Sequence, residues 1–239
     1  MKKIITKKIF FILIALCFIN QSVFGQKTEI NFNAYSGLFS FRGNGSASNS
    51  WMNFSFYTFP SSSTFNPYGK KNGFSYALEL QGQNLTKRKN IYGSGISFEI
   101  LTSKVNIDTV AGGDPAYLQY PATGKTTLKN TFITLNPFVG HRYINGKITF
   151  DLLTGIDLSF CLKSREAGTA TTNNNALITV ENDKDKPSVD FRPRVQIKTQ
   201  YKKIGFLLGY SLGLTNYQNK YSDKAYTSFL RLGISCQIK

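Results

Sequence analysis

The sequence has little of what metal and nucleophile chemistry draws on: one histidine, three cysteines and one tryptophan in 239 residues. A single histidine, His141, excludes a histidine-rich metal centre and leaves Ser-His catalysis with one candidate base. Three cysteines are too few for a disulfide framework. Acids are scarce too, since 13 Asp and Glu against 29 Lys and Arg give a formal net charge of +16. That balance fits nucleic acid or an anionic surface as counter-charge. Beyond the first 25 residues no run of eighteen apolar residues occurs, which excludes a chain crossing a membrane by helices.

What is present begins with a targeting pattern over residues 1–25. Lys2, Lys3, Lys7 and Lys8 make a basic start, and residues 9–19 form an apolar stretch too short to span a bilayer comfortably. We expect a cleaved secretory signal, cut after Gly25, and one domain over residues 26–239. Cys17 lies mid-stretch between Leu16 and Phe18, so lipidation is not expected. Export leaves no nucleic acid within reach, and turns the basic balance toward anionic lipid or acidic surface polymers.

The rest of the chain is patterned with a period of two, the signature of strands. The closing fifty residues show it best. Phe191, Val195, Ile197 and Tyr201 alternate with Arg192, Arg194, Gln196 and Lys198; two further runs over 204–215 and 226–238 behave alike. Earlier runs over 29–42, 73–85, 91–107, 130–144 and 147–163 bring the expectation to eight strands. The first alternates poorly, and a bulge near Ser36 and Gly37 is expected to reconcile its two parities. Runs of about a dozen residues exceed soluble strands and match tilted strands crossing a bilayer. Short turns at 86–90, 145–146 and 202–203 alternate with connections over 43–72, 108–129, 164–189 and 218–224, the asymmetry of an outer-membrane barrel. Tyr143 and Tyr201 fall beside the short turns, while Phe74, Tyr76, Phe160, Phe191 and Tyr226 fall toward the long connections, as two aromatic girdles. Ten steps from Phe191 to Tyr201 rise about 25 Å, the height of an apolar belt. The predicted fold is all-β: an eight-stranded antiparallel up-and-down transmembrane β-barrel. A soluble lipocalin-like barrel with the apolar face inward is the rival. A ten-stranded barrel recruiting residues 51–60 and 176–181 is a second alternative. Cys161 falls on the inward parity and Cys236 on the outward one, so no bridge is expected.

The run Tyr210-Ser-Leu-Gly-Leu-Thr-Asn216, followed by Phe229-Leu-Arg-Leu-Gly-Ile-Ser-Cys-Gln-Ile238, resembles the closing strands of PorT-like outer-membrane β-barrel proteins. The resemblance covers about thirty residues. It implies residence in the cell outer membrane and no defined activity.

The inward parity collects Glu79, Glu99, Asp151 and Asp157 against Arg142, Arg192, Arg194, Lys198 and Arg231. An eight-stranded ring is only wide enough for side chains to fill it, so these charges are expected to pair and plug the lumen rather than line an ion path. His141 lies on the outward parity near a short turn, with no carboxylate on its own face, so no enzyme activity and no cofactor are expected. Gly124-Lys125-Thr126 lacks the context of a phosphate loop. Glu181, Asp183, Asp185 and Asp190 are interrupted by lysines and read as a solvated charged loop rather than a calcium site. Trp51, Met52, Phe54, Phe56, Tyr57 and Phe59 make the first long connection aromatic. It reads either as a hairpin extending the first two strands or as a contact surface for a surface or secretion-machinery partner. Lys70, Lys71, Lys125, Lys129, Arg165, Lys184, Lys186, Lys220 and Lys224 gather at the loop end, where outer-membrane lipid of lipopolysaccharide-like chemistry presents phosphates. The expected role is structural or accessory, with a binding module as the alternative.

Overall fold

The computed structural model describes residues 27–55, 61–112, 118–185, 187–218 and 223–239. The expected signal, residues 1–25, lies outside them. The strands are β1 (Lys27–Arg42), β2 (Asn49–Ser55), β3 (Ser61–Thr64), β4 (Lys71–Leu85), β5 (Asn90–Gly112), β6 (Leu118–Asn145), β7 (Ile148–Thr172), β8 (Leu177–Asp183), β9 (Val189–Tyr201), β10 (Ile204–Leu212) and β11 (Tyr226–Gln237). Eight of them, β1, β4, β5, β6, β7, β9, β10 and β11, form a closed antiparallel ring, completed where β11 pairs back onto β1. The ring carries the eight segments that alternation marks, with every expected turn at the short end.

Alternation becomes burial. Along β9, Asp190, Arg192, Arg194, Gln196, Lys198 and Gln200 face inward while their neighbours face out. The same holds for β1, where the expected bulge is absent: its register with β4 and β11 runs unbroken. Glu29, Asn31, Asn33, Tyr35, Gly37, Phe39 and Phe41 all belong to the inner face. The parity never changes; the inner face itself turns from polar to aromatic toward the loop end. Gly37 is required there, because a Cβ would sit 2.7 Å from the Phe229 ring and 2.1 Å from the Leu230 carbonyl. Cys161 is buried and Cys236 exposed, and no disulfide joins them.

Three of the four long connections, those over 43–72, 108–129 and 164–189, carry strands, which corrects the expectation of loops. β5, β6 and β7 run on beyond the ring. β2 adds to β5 in parallel, from Asn49 opposite Asn106 to Phe54 opposite Gly112. β3 pairs with β2, and β8 pairs with β7. The sheet then curls until β3 meets β8: the Ser62 hydroxyl donates to the Thr179 carbonyl, and the Asn182 amide donates to the Ser62 carbonyl. Met52, Val105, Ile107, Val110, Ala122, Ala170 and Val180 fill the inside of this extension. The first connection therefore does hold a hairpin, but on β5 rather than on the first two ring strands. Residues 51–55 and 177–181 are strands outside the ring, so they do not widen it to ten.

Glu166 ties the extension together. Fully buried, it accepts the Thr64 backbone N–H at 2.9 Å and pairs with Lys184 at 2.7 Å, joining β7, β3 and the segment after β8. Replacing Glu166 with Ala removes both ties. We expect limited proteolysis to cut the extension of that variant while its ring still migrates faster in gels before boiling than after. A variant as resistant as the parent shows the seam to be held by the apolar core alone.

Candidate functional site

Side chains enter the lumen in tiers. At the short-turn end Arg142 donates to both oxygens of Asp151 at 2.7 and 2.8 Å, and to both of Glu29 at 2.9 and 2.8 Å. Gln83 adds a third bond to Glu29 at 2.8 Å. Lys198 donates to Asn31 at 2.8 Å. In the middle tier Asn33 donates to Glu79 at 2.8 Å, and the Tyr35 hydroxyl donates to the same carboxylate. Arg194 bridges Glu79 at 3.4 Å and Asp157 at 3.5 Å while donating to Asn136. Arg231 holds Asp157 at 2.7 Å, and Arg192 holds Glu99 at 2.5 Å. Above them Asp190 accepts the hydroxyls of Tyr217 at 3.0 Å and Thr227 at 2.8 Å.

Toward the loop end the chemistry changes. Phe39, Phe41, Leu101, Leu128, Phe132, Tyr217 and Phe229 pack across the bore, with ring centroids 5.0 to 6.4 Å apart in edge-to-face pairs. Guanidinium groups meet this aromatic layer from below: Arg231 lies 4.6 Å from the Phe229 centroid and Arg192 5.3 Å from that of Phe132.

The structure places Glu79, Glu99, Arg142, Asp151, Asp157, Arg192, Arg194, Lys198 and Arg231 inside the ring, none more than 4% exposed. Sequence reasoning missed Glu29, Asp190 and Tyr35. Glu29 and Tyr35 share the parity of Asn31 and Asn33, which an unbroken first strand would have made legible. Asp190 shares the parity of Arg192 and was assigned to the acidic connection. Both amide atoms of Gln196, with Nε and Nη1 of Arg192, make no hydrogen bond among the described residues, although Arg192 Nε lies 3.8 Å from Asp190 and 4.0 Å from Asp157.

The outside is the reverse of the inside. Phe74, Phe206, Leu232, Ile234 and Val139 stand 57% or more exposed, part of a continuous apolar wall of a kind that water-facing proteins rarely present. A soluble barrel has this polarity inverted, so the lipocalin-like rival falls. The chain is a small outer-membrane β-barrel. No family model matches the sequence, and no curated protein is similar to it in sequence. Among solved structures, Neisserial surface protein A (NspA) is similar at a TM-score of 0.40, with 8% identity, over 88% of this chain and 99% of that one. Ail, the attachment invasion locus protein of Yersinia pestis, solved with the heparin analogue sucrose octasulfate, is similar at 0.37, with 6% identity, over 89% and 100%. The P. putida toluene transporter TodX is similar at 0.28, with 8% identity, over 89% and 89%.

Other candidates disperse. His141 faces outward, with Nδ1 2.9 Å from the Asn90 side-chain oxygen and its ring against Tyr143. Gly124, Lys125 and Thr126 lie within β6. The four acids expected as one solvated loop separate: Glu181 pairs with Arg165, Asp183 lies 3.5 Å from Lys163, and Asp190 enters the lumen. Of the aromatic stretch, Trp51 stays exposed and stacks on Phe65 at 3.9 Å, with its indole N–H donating to Asn53 at 3.2 Å. Phe54 packs against the core of the extension. Phe56, Tyr57 and Phe59 lie outside the described residues. Among the loop-end cations, Arg165 and Lys184 are taken up by Glu181 and Glu166; Lys186 and Lys220 lie outside the described residues, and Lys70, Lys71, Lys125, Lys129 and Lys224 are exposed.

Removing one partner of a buried charge cluster costs about 3–5 kcal/mol. Replacing Arg142 with Ala strands Glu29 and Asp151 together, and the unfolding midpoint in urea is expected to fall accordingly. Adding Glu29→Gln and Asp151→Asn to that variant should recover part of the loss; an unchanged midpoint for the single variant contradicts the pairing.

Proposed function

We propose that this protein is a non-conducting outer-membrane barrel of structural or accessory role. The observation that carries the reading is the double seal: a paired charge network through the lower bore and an aromatic plug across the upper one. A charge network alone is compatible with a hydrated ion path, but a packed aromatic layer is not. Placement among the PorT-like barrels belongs to this proposal and rests on the closing-strand pattern. Lipopolysaccharide-like lipid is its partner in the outer leaflet. Lys71 lies directly opposite Lys104, a cation that sequence reasoning overlooked, on the outer face above the apolar wall, and Lys129 stands exposed on neighbouring β6. Like charges in such cross-strand pairs repel, and lipid phosphates relieve them, each cation contributing roughly 1 kcal/mol near an anionic surface.

A second reading is favoured by one feature. The stacked Trp51 and Phe65 rings sit exposed on an extension that has its own core, which suits a display module contacting a protein or glycan. An enzyme is not proposed, because His141 has no carboxylate among the contacts described above.

In planar bilayers the full barrel is expected to give no steady conductance; stepwise currents abolished by Asp157→Asn would overturn the sealed lumen. Replacing Trp51 and Phe65 with Ala should leave folding unchanged, and loss of a surface crosslink in intact cells would select the display reading. Replacing His141 with Asn is expected to leave the acylation of host lipid A unchanged, and an altered pattern would revive an enzyme.

A further inference from the structure

A groove of about 670 Å³ opens on the outer wall at the short-turn end. Register explains it. Thr199 of β9 lies between Phe150 of β7 and Phe206 of β10, and Tyr201 lies between Ile148 and Ile204. Large side chains on both flanks of a small one leave a trough along β9, stopped at its end by Tyr201. Lys202 and Lys203 border that end, and the Lys202 ammonium lies 5.4 Å from the Tyr201 ring centroid.

The turn that carries these lysines is chemically odd. Between β6 and β7 the two-residue turn begins with Gly146 at φ 60°, where glycine is at home. Between β9 and β10 the same position is Lys202, held at φ 54°, a conformation that costs a side-chain-bearing residue energy. The turn is nevertheless pinned. Gln200 donates to the Lys202 carbonyl at 2.9 Å, and the Gln237 N–H donates to the Lys203 carbonyl at 2.7 Å. Both lysines are thereby kept at the mouth of the trough. No side-chain acid among the described residues answers them, since Glu29 and Asp151, the acids of this end, face inward and are held by Arg142.

We infer that this groove is a binding site for an anionic diacyl phospholipid of the periplasmic leaflet. One acyl chain lies in the trough over Thr199, and the phosphate sits between Lys202 and Lys203. The trough accepts any acyl chain; the paired ammonium groups select a headgroup of net negative charge over one carrying its own ammonium. The site does not depend on whether the lumen conducts.

The test uses the whole mature barrel, equilibrated in vesicles of equal phosphatidylglycerol and phosphatidylcholine, with retained lipid counted by native mass spectrometry. Two lysines, each worth roughly a fivefold factor near an anionic surface, predict a preference of roughly thirtyfold for one retained phosphatidylglycerol. Lys202→Gly with Lys203→Asn installs a favoured hairpin turn, so this variant should fold at least as well while the preference disappears. Thr199→Phe fills the trough with the charges intact, and the retained lipid should be lost. Equal retention of both lipids by the parent, or an undiminished preference in the Lys202→Gly, Lys203→Asn variant, overturns the site and moves any selectivity to the Lys71, Lys104 and Lys129 row.

Discussion

Asp157 lies 2.7 Å from Arg231, 3.5 Å from Arg194 and 4.0 Å from Arg192, all within a wall whose other side is oil. A guanidinium buried without its counter-charge is among the most costly groups a fold can carry, and a carboxylate likewise. Each of these side chains is tolerable only while strands from opposite parts of the sequence bring the others to it. β7 supplies Asp157, β9 supplies Arg192 and Arg194, β11 supplies Arg231, β4 and β5 supply Glu79 and Glu99. The ring must close for the charges to meet, and with eight strands it is narrow enough that they do. Closure, strand number and interior chemistry are one constraint seen three ways.

That constraint stops where the membrane does. On β5 the inner face carries Ser97 and Glu99, then Leu101, then Val105 and Ile107; on β6 it passes from Arg142 and Asn136 through Phe132 to Ala122. In the bilayer the outside is apolar and the inside must absorb the polar residues. Above it water surrounds the sheet, and the same inward parity turns apolar to make a conventional core. The aromatic plug lies at the changeover, where Arg192 and Arg231 rest against ring faces on one side and aliphatic groups begin beyond.

Much of this was legible because period-two alternation and turn length are local. The eight ring strands, their short turns, the nine buried charges and the facing of Cys161 and Cys236 follow from parity alone. What parity hides is a change of environment along one face. Phe39 and Phe41 looked like lipid-facing residues out of phase because they are aromatic, whereas they are interior residues in the plug. The parallel pairing of β2 with β5 was invisible for another reason: nothing in residues 49–55 names a partner more than fifty positions away. Lys104 was passed over because its strand was expected to end near Ile107 with no basic neighbour beside it, and only the register sets Lys71 opposite.

β2 lies parallel to β5 although it precedes it in the chain, so the chain leaves β1, reaches past the position of β4 to that of β5, and returns as β4 between them. Its backbone partners among the described residues are β3, Phe65 and residues 106–112, the last more than fifty positions further along the chain. Contacts that span such sequence distance form late. β2 and β3 thus depend on β5 for their place, and Met52 is covered once Val105, Ile107 and Val110 of β5 share its core.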